Sequence, residues 1–436
     1  MRTTSCLWLL KSISACLLLV ACGKVNTAIV PVEEPQDPEE VVVPETPPSV
    51  EPEIIMLSTE ESKVASLGNE FGLKAFRGLS ARQPDTDLLF SPLSLSLDLT
   101  LCAGGGVGQT QSQILDALGF TGVKADDVAG YYRKVTSGLS AVDPTVKFTS
   151  ANSVWADVRF TLKDSYTQYA SDYFGADITS LDLKKKESLT RINKWCTDKT
   201  EGLVGRVLDD SRDPEGDPAS FLLNAVYFKG GWTPLYAFDE EMPQGTFHSV
   251  AGDRSATFLT AEHYYGYRET ETAQFVSLSY GNGMYKLVLA LPREGVSIGQ
   301  MLSSLTNKDF FSGSQQDPVT VRIPKFNVDY NTEDALIPVL KDLGMSLPFD
   351  KERADFSGMF SDGPMFYIDQ LFQKGTITVD EKGTEAAEVT LIGLWATSNG
   401  EPYTPVPRTF IADRPFVFAL VEDSSRTILL FGQKVQ

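Results

Sequence analysis

The chain contains ITVDEKGTEAAEVT at residues 377–390 and FIADRPFVFALVEDSSRTILLFGQKV at residues 410–435. The first of these segments starts with a strand pattern, ITVD, bounded by polar residues. The pattern continues through Glu381 to Gly383, where the missing side chain lets the backbone change direction at little cost. We therefore expect a strand that ends in a hinge at Glu381 and Gly383.

Small residues follow this hinge, and no apolar core pattern returns before the strand after Arg408. The small residues are Thr384, Ala386 and Ala387. One interpretation is a plain surface loop, because long loops are often functional or disordered. The other is a segment that can itself become a strand, because small side chains can enter between two existing strands without overpacking them.

The rest of the pattern predicts an α+β fold. Helical periodicity fills the first third of the chain, as at residues 62–79 and 109–118, and strand-like runs dominate later, as at residues 221–228 and 319–328. The helices and strands do not alternate regularly, which favours mixed or antiparallel sheets. No second linker or repeat interrupts residues 54–436, so we predict one large domain there.

Composition excludes several classes of function. The net charge is −20 and no basic cluster is interleaved with aromatic residues, so we expect no nucleic-acid partner. The chain has two histidines, and its five cysteines form no CxxC pair, so we expect no metal. GxSxG, HExxH and GxxxxGK[ST] motifs are all missing from the sequence, so we expect neither an enzyme nor a cofactor.

The N-terminal residues predict a leader and a spacer. Two basic residues precede an apolar run at residues 13–20 that is too short to span a bilayer, which is typical of a signal peptide over residues 1–21. LVACG at residues 19–23 resembles the bacterial lipobox, in which Cys22 would carry the lipid; an ordinary cleavage site that contains Cys22 is the alternative. Residues 22–53 are rich in Pro and Glu and are expected to form an extended tether. We therefore expect the protein in the cell envelope, lipid-anchored to a bacterial membrane; the outer membrane is the expected one, with the protein facing the periplasm or the exterior.

Several blocks, in order along the chain, resemble the serpin family. Besides the two C-terminal segments they are LLFSPLSLSLDLTLCAGG (88–105), ANSVWAD (151–157), FLLNAVYFKGGWTPLYAFDEEMPQGTFH (221–248), VRIPKFNVDYNTEDALIPVLKDLGM (321–345) and ADFSGM (354–359). The resemblance implies three β-sheets, about eight or nine helices and an exposed reactive loop on a monomer. It also implies an inhibitor that a serine protease, or a cysteine protease, attacks to form a covalent acyl complex before the loop inserts into a sheet. A non-inhibitory serpin-fold protein that binds partners at the surface is the alternative.

The resemblance also indicates where the loop would be cut. Glu381 to Thr397 spans 17 residues, or roughly 53 Å as a strand, which is the family's usual distance from hinge to scissile bond. The reactive bond is therefore placed between Thr397 and Ser398. Counting backward from Pro415 would give about Thr404 instead. Neighbouring alternatives are Leu394, Trp395 and Ala396; small Ala396 and Thr397 favour an elastase-like or broad specificity.

Motif matching assigns two further groups of residues. The hinge comprises Glu381, Gly383, Thr384, Glu385, Ala386, Ala387 and Glu388. Positions that control opening of the sheet are Ser91, Ser94, Asn224, Trp232 and Gln373, although the two serines could be helix-start residues and the tryptophan a core aromatic. Gln373 stands where the family commonly has histidine. Its side chain can still form a hydrogen bond, and Asn224 is a candidate partner. Glu388 occupies a hinge position that is usually small, where a buried carboxylate would oppose insertion unless it protonates or finds a partner.

Overall fold

The computed structural model describes residues 52–211, 218–234, 237–311, 313, 317–384 and 406–436. Eight α-helices occur in these residues: α1 Thr59–Arg82, α2 Pro92–Gly105, α3 Gln109–Ala117, α4 Ala125–Leu139, α5 Asp164–Phe174, α6 Lys186–Lys199, α7 Ile298–Ser304 and α8 Leu336–Asp342. None of the helices in these ranges is long and apolar enough to cross a membrane.

Strands make up most of the second half. Their bounds are β1 Leu88–Phe90, β2 Lys147–Asp157, β3 Asp177–Leu181, β4 Ser220–Gly231, β5 Gln244–Ser249, β6 Gly252–His263, β7 Gly266–Glu269, β8 Ala273–Ser279, β9 Tyr285–Pro292, β10 Val319–Pro324, β11 Phe326–Asn331, β12 Lys374–Val379, β13 Gly383–Thr384, β14 Arg408–Ile411, β15 Phe416–Glu422 and β16 Thr427–Lys434. This confirms the α+β fold that the sequence predicts.

The strands form four hydrogen-bonded groups. Their orders are β1-β16-β15-β9-β8-β7, β14-β10-β6-β5, β13-β4-β2-β3 and β11-β12. The last two groups meet where β12 turns back into β13, at the bridge between Asp380 and Gly383.

One run of residues is divided differently from the prediction. Residues 319–328 read as one continuous strand pattern, but β10 and β11 lie in different sheets and are separated by Lys325. β10 ends at Pro324, and Lys325 N donates one further bond to Thr257 O of β6, at 2.8 Å, before the chain enters β11. Periodicity alone shows no such break, because both strands are rich in apolar residues.

Helix α2 lies at the centre of the fold. Ser91 caps it by accepting a hydrogen bond from Ser94 N at 3.1 Å, and Pro92 occupies its first turn, where an N–H would have no partner. Most of its residues are buried, including the polar residues Ser94, Ser96 and Thr100 between its leucines. β15 is likewise buried along its whole length, so it shows no alternation of polar and apolar residues.

Candidate functional site

The candidate site is the gap between β4 and β12. β4 pairs with β2 along one edge, with Asn152 opposite Asn224, and β12 pairs with β11 along one edge. Within the described ranges, the only strand paired to the second edge of β4 is β13, at Gly230 and Gly231. Each strand therefore presents backbone N–H and C=O groups toward the gap, where a further strand could pair with them.

A tight turn closes one end of the gap. Asp380 N donates to Gly383 O at 3.0 Å, and the Asp380 carboxylate accepts from Lys382 N at 2.8 Å. Gly383 has φ +134°, and a Cβ at this position would lie 2.2 Å from Gly230 O. Only glycine fits this close approach without strain, which explains the glycine of the predicted hinge.

Thr384 already lies between the strands. It pairs with Gly230, is 4% exposed, and its hydroxyl shares a hydrogen bond of 2.8 Å with the hydroxyl of Tyr280. Burial raises the pKa of Tyr280, so this hydroxyl stays protonated across the physiological range. The first small residue after the hinge glycine is thus an inserted residue in this structure.

Trp232 ties the turn to the end of β4. Its indole ring stacks on Tyr280 with ring centroids 4.5 Å apart, and its Nε1 donates to Asp380 O at 2.9 Å. Its backbone N donates to Lys382 O at 3.2 Å. Trp232 is thus both a core aromatic and a direct contact of the hinge turn. Tyr280 was not singled out from the sequence, because its only signal is an aromatic residue one position after β8.

Glu381 lies in the turn and forms an ion pair with Lys325. The hydrogen bond from Lys325 holds the pKa of the Glu381 carboxyl below its usual range. Both side chains are about one-third exposed, at 32%, so the pair is partly screened by water. The ion pair joins the hinge to Lys325, the residue between β10 and β11.

At the other end of the gap, Gln373 is bound to the start of α2. Its Oε1 accepts from Ser91 N at 3.0 Å and its Nε2 donates to Ser91 O at 2.9 Å. Ser91 Oγ donates in turn to Leu429 O at 2.8 Å. The side chain of Gln373 therefore fastens the residue before β12 to the cap of α2, and Ser91 is a helix cap as well as a contact of the gap.

The side chain of Asn224 is bonded to β2 and not to Gln373, the partner that the sequence left open. Its Nδ2 donates to Ser150 Oγ at 3.0 Å and to Asn152 Oδ1 at 2.9 Å, both on β2. Its Oδ1 is buried and accepts no hydrogen bond from any residue that the structure describes. The pair between Gln373 and Asn224 does not form, because Ser91 occupies both ends of the Gln373 amide. The result is an unsatisfied buried acceptor on the face of β4 beside the gap.

The other predicted positions lie outside the described residues. They are the hinge residues Glu385, Ala386, Ala387 and Glu388, the reactive-bond residues Thr397 and Ser398 with the alternatives Leu394, Trp395 and Ala396, and the lipidation residue Cys22. In the described ranges, no group of three or more His, Cys, Asp or Glu side chains could hold a metal ion.

We compared the sequence and the fold with those of known proteins. Residues 66–436 match the family model "Serpin (serine protease inhibitor)". The chain is 27% identical to Iripin-2 of Ixodes ricinus, over 87% of this chain and 95% of the relative, and 27% identical to human plasminogen activator inhibitor 2, over 83% and 97%. The solved structure of the thermophilic serpin Tengpin in its native state matches with a TM-score of 0.75 at 26% identity, over 87% of this chain and 95% of that one. The chain therefore belongs to the serpin family, whose members are generally protease inhibitors and not enzymes.

Proposed function

We propose that this protein inhibits serine proteases as a suicide substrate whose cleaved loop inserts between β4 and β12. The observation that carries the proposal is the position of Thr384, which is buried and paired with Gly230 at one end of the gap. Small residues follow it in the sequence, and apart from β13 no strand of the described ranges pairs with the edges of β4 and β12 that face the gap. Insertion would extend a pairing that has already begun.

The chemistry that we propose is an interrupted peptide hydrolysis. The protease serine attacks the carbonyl carbon of Thr397, and its proton passes to the protease histidine. The bond between Thr397 and Ser398 then breaks; the histidine returns the proton to the departing amine of Ser398, and an ester links Thr397 to the protease. Insertion of the segment that ends at Thr397 moves the protease before water hydrolyses the ester.

The register of β13 supports the position of the cut. Thr384 lies opposite Gly230, so every further inserted residue lies opposite a β4 residue one number lower. Leu394 would then lie opposite Ser220, where β4 begins. A cut after Thr397 leaves enough chain to fill the whole length of β4, whereas a cut before Leu394 would not. A cleavage window of residues 394–397 follows, and small Ala396 and Thr397 favour an elastase-like protease within it.

The same register gives the unsatisfied atom of Asn224 a partner. If an inserted loop kept the registers of Thr384 with Gly230 and of Gly383 with Asp380, Thr390 would lie opposite Asn224 on β4 and opposite Gln373 on the other side. A threonine hydroxyl can donate to the buried Oδ1 of Asn224. Satisfying a buried acceptor favours the inserted state over the uninserted one.

The test is incubation with a panel of serine and cysteine proteases, followed by denaturing gel electrophoresis. If the protein traps a protease, the gel should show a band that survives denaturation. The mass of this band should be the sum of the protease and the inhibitor cleaved after Thr397. Mass spectrometry of the released C-terminal peptide should place the cut between Thr397 and Ser398, or within residues 394–397. Cleavage without a covalent complex at any protease would favour the non-inhibitory surface binding protein instead.

We further propose that the domain of residues 54–436 is held at a bacterial membrane of the cell envelope by a lipid on Cys22. The support is the sequence alone: the short apolar run, the small residues around Cys22, and the Pro-rich and Glu-rich residues that follow. Such a composition favours an extended chain of about 3.1 Å per residue. The anchored inhibitor would then act on proteases that approach the envelope.

A further inference from the structure

The tyrosine that binds Thr384 belongs to the turn between β8 and β9, residues 280–284. Within this turn, Gly283 N donates a hydrogen bond to Tyr280 O at 2.7 Å. On the side of the hinge, the ring of Tyr280 stacks on Trp232 and its hydroxyl is bonded to Thr384. The position of the turn therefore decides where the hydroxyl that meets Thr384 lies.

A buried carboxylate from another part of the chain binds this turn. Asp143 lies in the connection between α4 and β2 and is 1% exposed. Its Oδ2 accepts a hydrogen bond from Asn282 N at 2.7 Å. Its Oδ1 accepts from Thr145 N at 2.8 Å and from Thr145 Oγ1 at 2.7 Å. One oxygen of the carboxylate thus binds the turn, and the other binds its own connection.

Two neighbouring residues of the turn support this contact. The Nδ2 of Asn282 donates to Val142 O at 3.0 Å, and its Oδ1 accepts from Met284 N at 3.1 Å. Gly281 has φ +46°, and a Cβ at this position would lie 2.2 Å from the Oδ2 of Asp143. A side chain there would displace the turn or the carboxylate, so glycine is what lets the two approach each other.

The same turn is bonded to the end of β4. Gly281 N donates to Gly231 O at 2.9 Å, and Thr233 Oγ1 donates to Gly281 O at 2.9 Å. Gly231 in turn pairs with Gly383 of β13. The turn therefore contacts the strand beside the hinge and, through Asp143, the connection that follows α4.

We propose that Asp143 is a positioning residue for loop insertion, because it holds the turn so that the hydroxyl of Tyr280 lies where Thr384 enters the gap. This role rests on the proposed inhibitory function. The hydroxyl of Thr384 is buried, and a shift of the turn would break its bond to Tyr280. A buried hydroxyl that loses its partner disfavours the first inserted residue. Insertion would then be slower relative to hydrolysis of the ester.

The experiment is a double-mutant cycle of four proteins: the wild type, Asp143→Ala, Tyr280→Phe and the double variant. An elastase-type serine protease is added, and the ratio of covalent complex to cleaved product is measured on denaturing gels. Each single variant should lower this ratio roughly tenfold, the effect of one buried hydrogen bond. The double variant should lower it no further, because Asp143 acts through the hydroxyl that Tyr280→Phe has already removed.

The matched control is a buried carboxylate at the far end of β2. Asp157 is fully buried, and it accepts hydrogen bonds from Leu183 N at 2.8 Å and from Arg159 N at 3.0 Å. None of these bonds reaches residues 280–284. Asp157→Ala should therefore lower the Tm, as Asp143→Ala does, but leave the ratio of complex to cleaved product as in the wild type.

A second variant reaches the turn without changing the carboxylate. Gly281→Ala introduces the Cβ that would collide with Asp143, and it should lower the ratio in the same way. Its effect should also vanish when it is combined with Tyr280→Phe. This variant keeps the test decisive if Asp143→Ala does not fold.

Amide exchange in the uncleaved protein separates this inference from the proposed function. The N–H of Trp232 donates to Lys382 O of the hinge turn, so its exchange reports how firmly the hinge is held. Asp143→Ala and Tyr280→Phe should each make this exchange roughly tenfold faster, with no further gain in the double variant.

The two measurements have different failures. If Asp143→Ala lowers the ratio equally in the wild type and in Tyr280→Phe, or does not lower it at all, the positioning role is overturned and inhibition stays intact. If the wild type forms no complex, inhibition is overturned. The exchange of Trp232 then decides the rest, because an unchanged rate in Asp143→Ala would overturn the positioning of Tyr280 as well.

Discussion

Replacing Thr384 with arginine should turn the protein from a trap into a substrate. Thr384 is 4% exposed and is bonded to the buried hydroxyl of Tyr280, so an arginine cannot remain in its place without an unpaired buried charge. In the uncleaved protein the arginine can turn out to solvent. The variant then destabilises the uncleaved protein by about 1–3 kcal/mol, because the hydroxyl of Tyr280 loses its hydrogen-bond partner. In the inserted form the charge must enter the sheet, at a cost of several kcal/mol.

A penalty of about 3 kcal/mol on the inserting step would slow insertion roughly 100-fold, because each 1.4 kcal/mol is a factor of ten. Hydrolysis of the ester would then precede trapping. The assay is the ratio of covalent complex to cleaved product, with the Tm before and after cleavage. Glu385→Arg is the matched control, since it places the same side chain one residue later, on the outward face, and should trap as the wild type does. Trapping by Thr384→Arg equal to that of the wild type would refute loop insertion at this gap.

Three further perturbations test other parts of the reasoning. Gln373→Ala leaves the backbone N and O of Ser91 without the amide that binds both, and should destabilise the uncleaved protein by about 1–3 kcal/mol in denaturant unfolding. Because Lys325 lowers the pKa of Glu381, their ion pair stabilises the fold above the ordinary carboxyl pKa of about 4.3, and this contribution is lost as the pH falls through the lowered value. The difference in Tm between the wild type and Glu381→Gln should therefore shrink only in that acid range. Cys22→Ser should abolish labelling by a radioactive fatty acid; equal labelling of both forms would exclude the anchor.

Local patterns in the sequence predict much of the fold and one end of the site. Residues 221–228 read as a strand and lie within β4, and the hinge glycine was expected because a strand must turn there. The family blocks supplied Trp232, which contacts the hinge turn. These features depend on a few neighbouring residues, which periodicity and turn chemistry describe well.

The contacts that the sequence did not predict join distant residues. Gln373 binds Ser91, 282 positions away, and Thr384 binds Tyr280, 104 positions away. Hydrogen-bonding capacity shows that Gln373 can pair with an amide, but it does not distinguish Asn224 from the backbone of Ser91. Only the packing of β12 against the cap of α2 decides between them.

The choice of Gln373 also changes where acid can act. A histidine in the wall of the gap would gain charge near neutral pH and alter the opening of the sheet before any protease is present. Gln373 stays neutral, and its amide keeps both bonds to Ser91 as the pH falls. The fastening of β12 to the cap of α2 at Gln373 should therefore be insensitive to acid.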